Sequence, residues 1–370
     1  MHILQFINSL CSGGAEKFVV DLSNELIRQG HQVTLVTFNQ GDKDIDFNRQ
    51  FLDERVKSRI LGIPQKFRIS GIAQFEAILK DTKPDIVHGH LNVLPYMYRA
   101  ALLNRNIKFV HTLHGLADKR APKFQRVIDR WFYKKELFLP VTISEQCLKS
   151  YQDYFGLTNG EMIVNGRAEA APSSDFENVK NEIDSYKKNG ETKVFITVAR
   201  CNPLKNQQML VESFNQLYEE GVNCILLVVG NHFNDTELGK KLQDLAKPNI
   251  HFLGEKANVT DYLMCSDFFS LTSLHEGLPI SLLEALSCRV TPVCTPVGGI
   301  PDVVTEGVTG FLSTSISKTN YVESLKKAMN TPIDKDNLSK LYDSGYSMRK
   351  CAAEYIKVYK SAFEGTNCNR

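Results

Sequence analysis

Twice along its length this chain alternates short apolar runs with longer stretches of helical period, and that leaves few folds open to it. The first series predicts strands at 2–7, 32–38, 58–61, 85–90, 108–113, 137–143 and 161–164, with helices at 15–29, 72–80, 94–104, 122–135 and 145–155. The second predicts strands at 193–199, 224–230, 250–253, 268–272, 291–295 and 310–313, with helices at 206–220, 236–246, 259–264, 279–288 and 300–304. Beyond 321 the chain reads as three helices, the last near 348–363. Apolar strands separated by helices pair in parallel and need cover on both faces. The expected fold is therefore α/β, with two doubly wound domains of similar size, and 370 residues give each a sizeable core. Between the series, 167–192 is polar and rich in charge, and reads as the connection, with a short helix in it. The expected domains are 1–170, then 171–346, then a helix at 347–370 packing back on the first. Ligands of such sheets bind beyond the carboxyl ends of the strands, so two of them imply a deep cleft between facing domains.

The net charge of +2 argues against nucleic acid as a partner. Residues 1–170 hold 23 Lys+Arg against 18 Asp+Glu, and the remainder 21 against 24, so an anionic partner such as a membrane surface would meet the first half. No run reaches the roughly 18 apolar residues of a transmembrane helix. MHILQFINSL lacks the basic region and cleavage site of a secretion signal. The nine cysteines form no C-x-x-C pair, which fits buried thiols in a reducing cytoplasm.

The stretch HEGLPISLLEALSCRVTPVCTPVGGIPDVV, from His275 to Val304, carries the densest chemical signal. Its helix is apolar nearly all round and so is expected to be buried, with Glu284 in the middle. A buried carboxylate needs a partner. Glu276 lies in the loop ahead, and eight helical positions would put the two on different faces, so the loop must turn Glu276 back to the helix start. That start offers free N–H groups to a phosphate. Acids on both sides of an anion site fit a ligand with hydroxyls at both ends and phosphates between, as in a nucleotide-sugar. The plainer reading is a buried Glu paired with an unseen Arg or Lys.

Other strand ends add to this. Gly13 and Gly14 stand between a strand and a helix, where the backbone can approach a ligand and N–H groups can face a phosphate. They do not form Gly-x-Gly-x-x-Gly, so a nicotinamide cofactor is not expected. Arg200 and Lys205 leave a strand end with Asn202 and Pro203 turning the loop, and two cations there can neutralise a departing diphosphate. His88, His90, His111 and His114 lie near strand ends, but no Cys or carboxylate completes a zinc spacing, and no metal is expected. Asp42, Asp44 and Asp46 read as a solvated loop.

The pieces INSLCSGGAEK, HTLHG, VNG, VARCNPLKN, FLG, the two-Glu stretch and EGVTGFL, in this order, resemble the retaining GT-B glycosyltransferases of family 4, also called group 1, over almost the full length. The resemblance implies an acceptor-binding first domain and a nucleotide-sugar-binding second one, both Rossmann-like. It implies that Arg200 and Lys205 bind the donor diphosphate and that Glu284 holds the ribose. It gives Glu276 the hydroxyls of the transferred sugar, backbone N–H groups of Gly277 and Leu278 a place beside that sugar, and those of Ser281 and Leu282 a place beside the phosphate. It places His114 next to donor sugar and acceptor, and Gly13 and Gly14 over the diphosphate. It implies no cofactor beyond a UDP- or GDP-linked donor, and a glycan or lipid-linked acceptor in surface polysaccharide or glycolipid synthesis. Three positions depart from the family: Asn206 and Arg289 stand where Gly is frequent, and Arg167-Ala168 follows Asn165-Gly166 where a small apolar residue and Asp are common.

Two rival functions remain at this point, a nucleotide-sugar epimerase of the same architecture and a non-catalytic nucleotide-sugar-binding protein. Residues 119–135, KRAPKFQRVIDRWFYKK, raise a separate question, with seven Lys+Arg against Asp129. At helical spacing Phe124, Val127, Ile128 and Trp131 share one side, with Arg126, Arg130 and Lys134 near another. Such a helix suits an anionic bilayer at the cytoplasmic face. The sheet also needs cover, and packing of that apolar side on it is the favoured expectation.

Overall fold

The computed structural model describes residues 1–39, 46–64, 67–119 and 123–364. The chain divides into two compact units, Met1–Arg167 joined by the chain from Met348 onward, and Ala168–Ser347. Unit 1 runs β1 (His2–Phe6), α1 (Gly14–Arg28), β2 (Gln32–Thr37), β3 (Lys57–Ile60), α2 (Ser70–Thr82), β4 (Ile86–His90), α3 (Leu94–Leu103), β5 (Lys108–Leu113), α4 (Lys123–Lys134), β6 (Leu139–Thr142), α5 (Glu145–Phe155) and β7 (Glu161–Met162). The strands form one parallel sheet in the order β3-β2-β1-β4-β5-β6-β7. Period-two alternation sorts the core. Leu4 and Phe6 of β1 meet Phe75, Tyr96, Phe132 and Tyr151 on one face. Ile3 meets Phe18, Leu22 and Leu26 of α1 on the other. Local chemistry sets the helix ends: Ser144 Oγ accepts from Cys147 N–H at the start of α5, and Gly156, at φ 61°, closes it.

Unit 2 runs α6 (Phe176–Tyr186), β8 (Lys193–Val198), α7 (Gln207–Glu219), β9 (Cys224–Val229), α8 (Glu237–Leu245), β10 (Ile250–Gly254), α9 (Val259–Met264), β11 (Phe268–Leu271), α10 (Ile280–Ser287), β12 (Thr291–Cys294), β13 (Phe311–Leu312), α11 (Lys318–Asn330) and α12 (Lys335–Leu341). Its parallel sheet has the order β10-β9-β8-β11-β12-β13. The chain then re-enters unit 1 as α13 (Met348–Glu364), whose Tyr355 and Tyr359 are buried in the α1 face of the first sheet. Strand order reverses between β1 and β4 and between β8 and β11, and such switch points are where doubly wound sheets bind ligands.

Two expectations are corrected. The segment 300–304 is not a helix. Val303 and Val304 N–H both donate to Ile300 O, making one turn, and Thr309 Oγ1 then takes Val303 O. In α4 the facing is reversed: Phe124, Val127, Ile128 and Trp131 are 73%, 70%, 42% and 46% exposed, while Asp129, Phe132 and Tyr133 are buried. Polar tethers select the buried face. Tyr98 donates to Asp129 Oδ1, and Tyr133 Oη lies 2.7 Å from His111 Nδ1.

Candidate active site

In unit 2 the adjacency of β8 and β11 brings two loops together. After β8, Asn202 Oδ1 accepts from Leu204 N–H (2.9 Å) and opens a single tight turn, Pro203–Lys205. Asn206 follows in the left-handed region (φ 50°, ψ 40°), which asparagine tolerates, so it stands in for glycine there. Thr272 at the end of β11 donates to the carbonyls of Lys205 and Asn206 (both 3.1 Å), fixing one loop to the other. Lys205 Nζ then donates to Glu276 Oε1 at 2.6 Å, and Ser273 Oγ to the same oxygen at 2.5 Å. The Glu276 side chain is 10% exposed and that of Lys205 25%. Gly298 and Gly299 back this loop. A Cβ on Gly298, at φ 58°, would lie 1.9 Å from Glu276 O, and Gly299 N–H donates to Gly277 O at 2.7 Å.

No side chain caps α10, which begins after Pro279. Leu282 N–H, expected beside a phosphate, donates to Pro279 O at 3.1 Å, while Ser281 stands one position nearer the helix start. The helix is not buried all round. Leu282, Leu283, Ala285 and Leu286 are buried, but Ile280, Ser281, Glu284 and Ser287 form a half-open stripe, so Glu284 is less enclosed than its neighbours imply. Leu278 is buried and anchors the loop. Arg200 is exposed, its carbonyl held by Gln207 Nε2 (2.9 Å), and no ion pair to it is found among the described residues. Arg289, at φ 57°, occupies the far end of α10 and is exposed, away from the helix start.

In unit 1, Gly13 is the N-cap of α1 and Gly14 its first residue, again without a side-chain cap. Glu16 folds back over this end: a Cβ on Gly13 would lie 2.3 Å from its Oε2. The helix start thus has a carboxylate of its own beside it. His114 is half-buried, its Nε2 2.9 Å from His90 Nδ1 and its ring edge-on to Phe18. His88 and His111 engage both ring nitrogens with Tyr359, Thr112, Tyr133 and the Leu91 carbonyl. Among the described residues no group of three His, Cys, Asp or Glu is placed to hold a metal. Asp42 and Asp44 lie outside the described residues, and Asp46 accepts from Arg49 Nε at 2.8 Å. Asn165 is buried, and Arg167 forms a buried ion pair with Asp21.

The structure therefore gathers Lys205, Glu276 and Gly277, with Arg200 on the same loop as Lys205 and Ser281 and Glu284 on α10. Sequence reasoning missed Ser273, Gly298 and Gly299. The paired glycine just past a strand marks a close backbone approach but not what it approaches.

Residues 12–166 match the model described as Glycosyltransferase Family 4, and residues 178–343 the model for glycosyl transferases group 1. The chain belongs to the family 4, or group 1, glycosyltransferases. Like its family, it is a glycosyltransferase that draws on a nucleotide-sugar donor, which sets aside the epimerase and the non-catalytic binder. It is 25% identical to the N-acetyl-alpha-D-glucosaminyl L-malate synthase of Bacillus anthracis, over 81% of this chain and 80% of that one. It is 27% identical to the Escherichia coli UDP-Gal:alpha-D-GlcNAc-diphosphoundecaprenol alpha-1,3-galactosyltransferase, over 64% of each. Its fold is that of HepE of Anabaena, solved with UDP and glucose, with a TM-score of 0.77, 17% identity, and coverage of 98% of this chain and 100% of that one. The two doubly wound sheets of this glycosyltransferase are the GT-B arrangement.

Proposed function

We propose that this glycosyltransferase moves a sugar, with retention of anomeric configuration, from a UDP- or GDP-linked donor to a hydroxyl of a glycan or lipid-linked glycan, in surface polysaccharide or glycolipid synthesis. The observation that carries this is the Lys205–Glu276–Ser273 cluster at the β8/β11 switch point, beside the uncapped start of α10. Arg200 and Lys205 neutralise the departing diphosphate, a charge contact that strengthens as the bond breaks. Glu276 takes sugar hydroxyls beside the N–H groups of Gly277 and Leu278. The Ser281 N–H serves the phosphate, with that of Leu282 shared between it and the Pro279 carbonyl, and Glu284 serves the ribose. Until donor arrives, Glu276 holds Lys205 in place. A carboxylate already accepting from an ammonium and a hydroxyl is a poor nucleophile, which favours attack on the donor's own face with the leaving diphosphate as base. Gly13 and Gly14 cover the diphosphate and border the acceptor, and His114 lies next to donor sugar and acceptor.

The lipid-linked acceptor and a cytoplasmic, peripheral location draw support from α4. No described helix is long and apolar enough to cross a membrane. Yet α4 exposes Phe124, Val127, Ile128 and Trp131 in one stripe, with Lys134 and Lys135 exposed at its end and its one acid, Asp129, turned inward. That surface fits an anionic bilayer. The E. coli relative is named for an undecaprenol-linked acceptor.

A thermal-shift panel of UDP, GDP and their sugars tests the donor reading, because a ligand preferring the folded chain raises its midpoint. No shift with any of them would remove it. Retention stands if NMR shows an α-linked product from an α-linked donor, and falls if the product is β-linked.

A further inference from the structure

The loop after β11 carries a fully buried hydroxyl. Ser273 is 0% exposed, and among the described residues its Oγ bonds only to Glu276 Oε1, to which it donates at 2.5 Å. Main-chain bonds fix where that hydroxyl points. Thr295 Oγ1, just past β12, donates to Ser273 O at 2.8 Å, and Leu274 N–H donates to Leu204 O at 2.8 Å. Neither bond uses the Ser273 side chain.

Lys205 Nζ donates to the same Oε1, and no described residue gives a hydrogen bond to Oε2. The carboxylate is thus pinned by one oxygen and open at the other. The ion pair alone would not keep it so once a ligand arrives. Lys205, 25% exposed, reaches from the tight turn after β8 and is drawn to any diphosphate bound there. The Ser273 hydroxyl is uncharged and sits on a clamped main chain, so its bond to Oε1 outlasts that exchange. We propose that Ser273 is a positioning residue for sugar transfer: it holds Glu276 by Oε1 while Lys205 turns to the diphosphate, and so keeps Oε2 presented to a hydroxyl of the transferred sugar. The inference rests on Glu276 serving that sugar. A loose glutamate side chain is rich in rotamers, and freezing it before the reaction lowers the barrier to transfer.

Ser273→Ala removes the hydroxyl and none of the main-chain bonds, so the variant should fold. Release of nucleoside diphosphate is followed with UDP-glucose, UDP-N-acetylglucosamine and GDP-mannose as probes, and binding of UDP and GDP by calorimetry. The expected kcat is about tenfold lower, the size of one charge-assisted hydrogen bond, with the free nucleoside diphosphate bound within about twofold of wild type. In a Glu276→Ala background, removing the hydroxyl should cost nothing further. An unchanged kcat in Ser273→Ala overturns the proposal, as does the same tenfold loss in the Glu276→Ala background. An equal loss of nucleotide affinity would show a merely structural role and overturns it as well. Wild-type turnover in Glu276→Ala would overturn it together with the sugar role of Glu276, whereas a loss in Glu276→Ala with none in Ser273→Ala removes the role of Ser273 alone.

Discussion

Lys205 and Glu276 restrain each other in the ligand-free chain, and the two ends of that pair respond differently to mutation. Arg200→Ala and Lys205→Ala are expected to weaken binding of the free nucleoside diphosphate about tenfold or more each, because a neutral side chain loses a charge-assisted contact. Calorimetry showing unchanged affinity in both would cancel their assignment. Glu276→Gln releases Lys205, so free nucleotide should bind no more weakly while kcat falls on the order of 100-fold. Glu284→Gln should weaken nucleotides that carry ribose. Equal losses of free nucleotide in the two glutamine variants would show that the division of labour is wrong. A separate titration concerns Asp129, whose pKa burial raises from 3.8 to about 6. The native chain keeps a proton there that the unfolded chain has released, so stability is highest below the ordinary carboxylate range and is lost as pH rises through about 6. The full shift corresponds to about 3 kcal/mol. Asp129→Asn, which still accepts from Tyr98, should flatten the urea-denaturation profile across that window and be the more stable protein at neutral pH. An unchanged slope would mean that Asp129 does not titrate there.

The exposed stripe of α4 gives the element-level prediction. Wild-type protein should sediment with anionic vesicles, less so as salt rises. Lys123, Arg126, Arg130 and Lys134 all changed to Gln should leave the protein in the supernatant; equal sedimentation would rule out α4 as the anchor. Arg126 stacks on Tyr154 (4.6 Å) and Arg130 Nε donates to Phe155 O (2.6 Å), so a melting curve must accompany the variant. Trp131→Ala, which leaves both contacts in place, should weaken binding on its own. The facing of α4 was not legible in sequence, because two stripes compete. Phe124, Val127, Ile128 and Trp131 look like the core stripe, while Asp129 disguises the one that is buried. Long-range partners, Tyr98 and His111, decide between them. The strands were legible, since apolar residues on both faces mark buried parallel sheets. Within the site, Glu276 and Lys205 could be read from motif position. Ser273, Gly298 and Gly299 could not, because their roles depend on which strand ends become neighbours.

For the whole molecule, the chain passes between units at Arg167 and returns at Met348. Both passages are tied inside unit 1: Arg167 pairs with Asp21, and Met348 N–H donates to Arg167 O at 2.7 Å. Asp21→Ala removes the buried acid that Arg167 pairs with and should destabilise by about 3 kcal/mol. The loss should appear as earlier unfolding of unit 1, with protease-resistant unit 2 persisting; simultaneous loss of both units would contradict it. The late return of α13 also orders events during synthesis. Unit 2 is continuous and can close as soon as it leaves the ribosome. Unit 1 is translated first, yet part of the α1 face of its sheet stays uncovered and His88 lacks its Tyr359 partner until α13 emerges. The half of the enzyme that begins first is thus the half that finishes last, and throughout translation of unit 2 it is the nascent chain's natural client surface for chaperones.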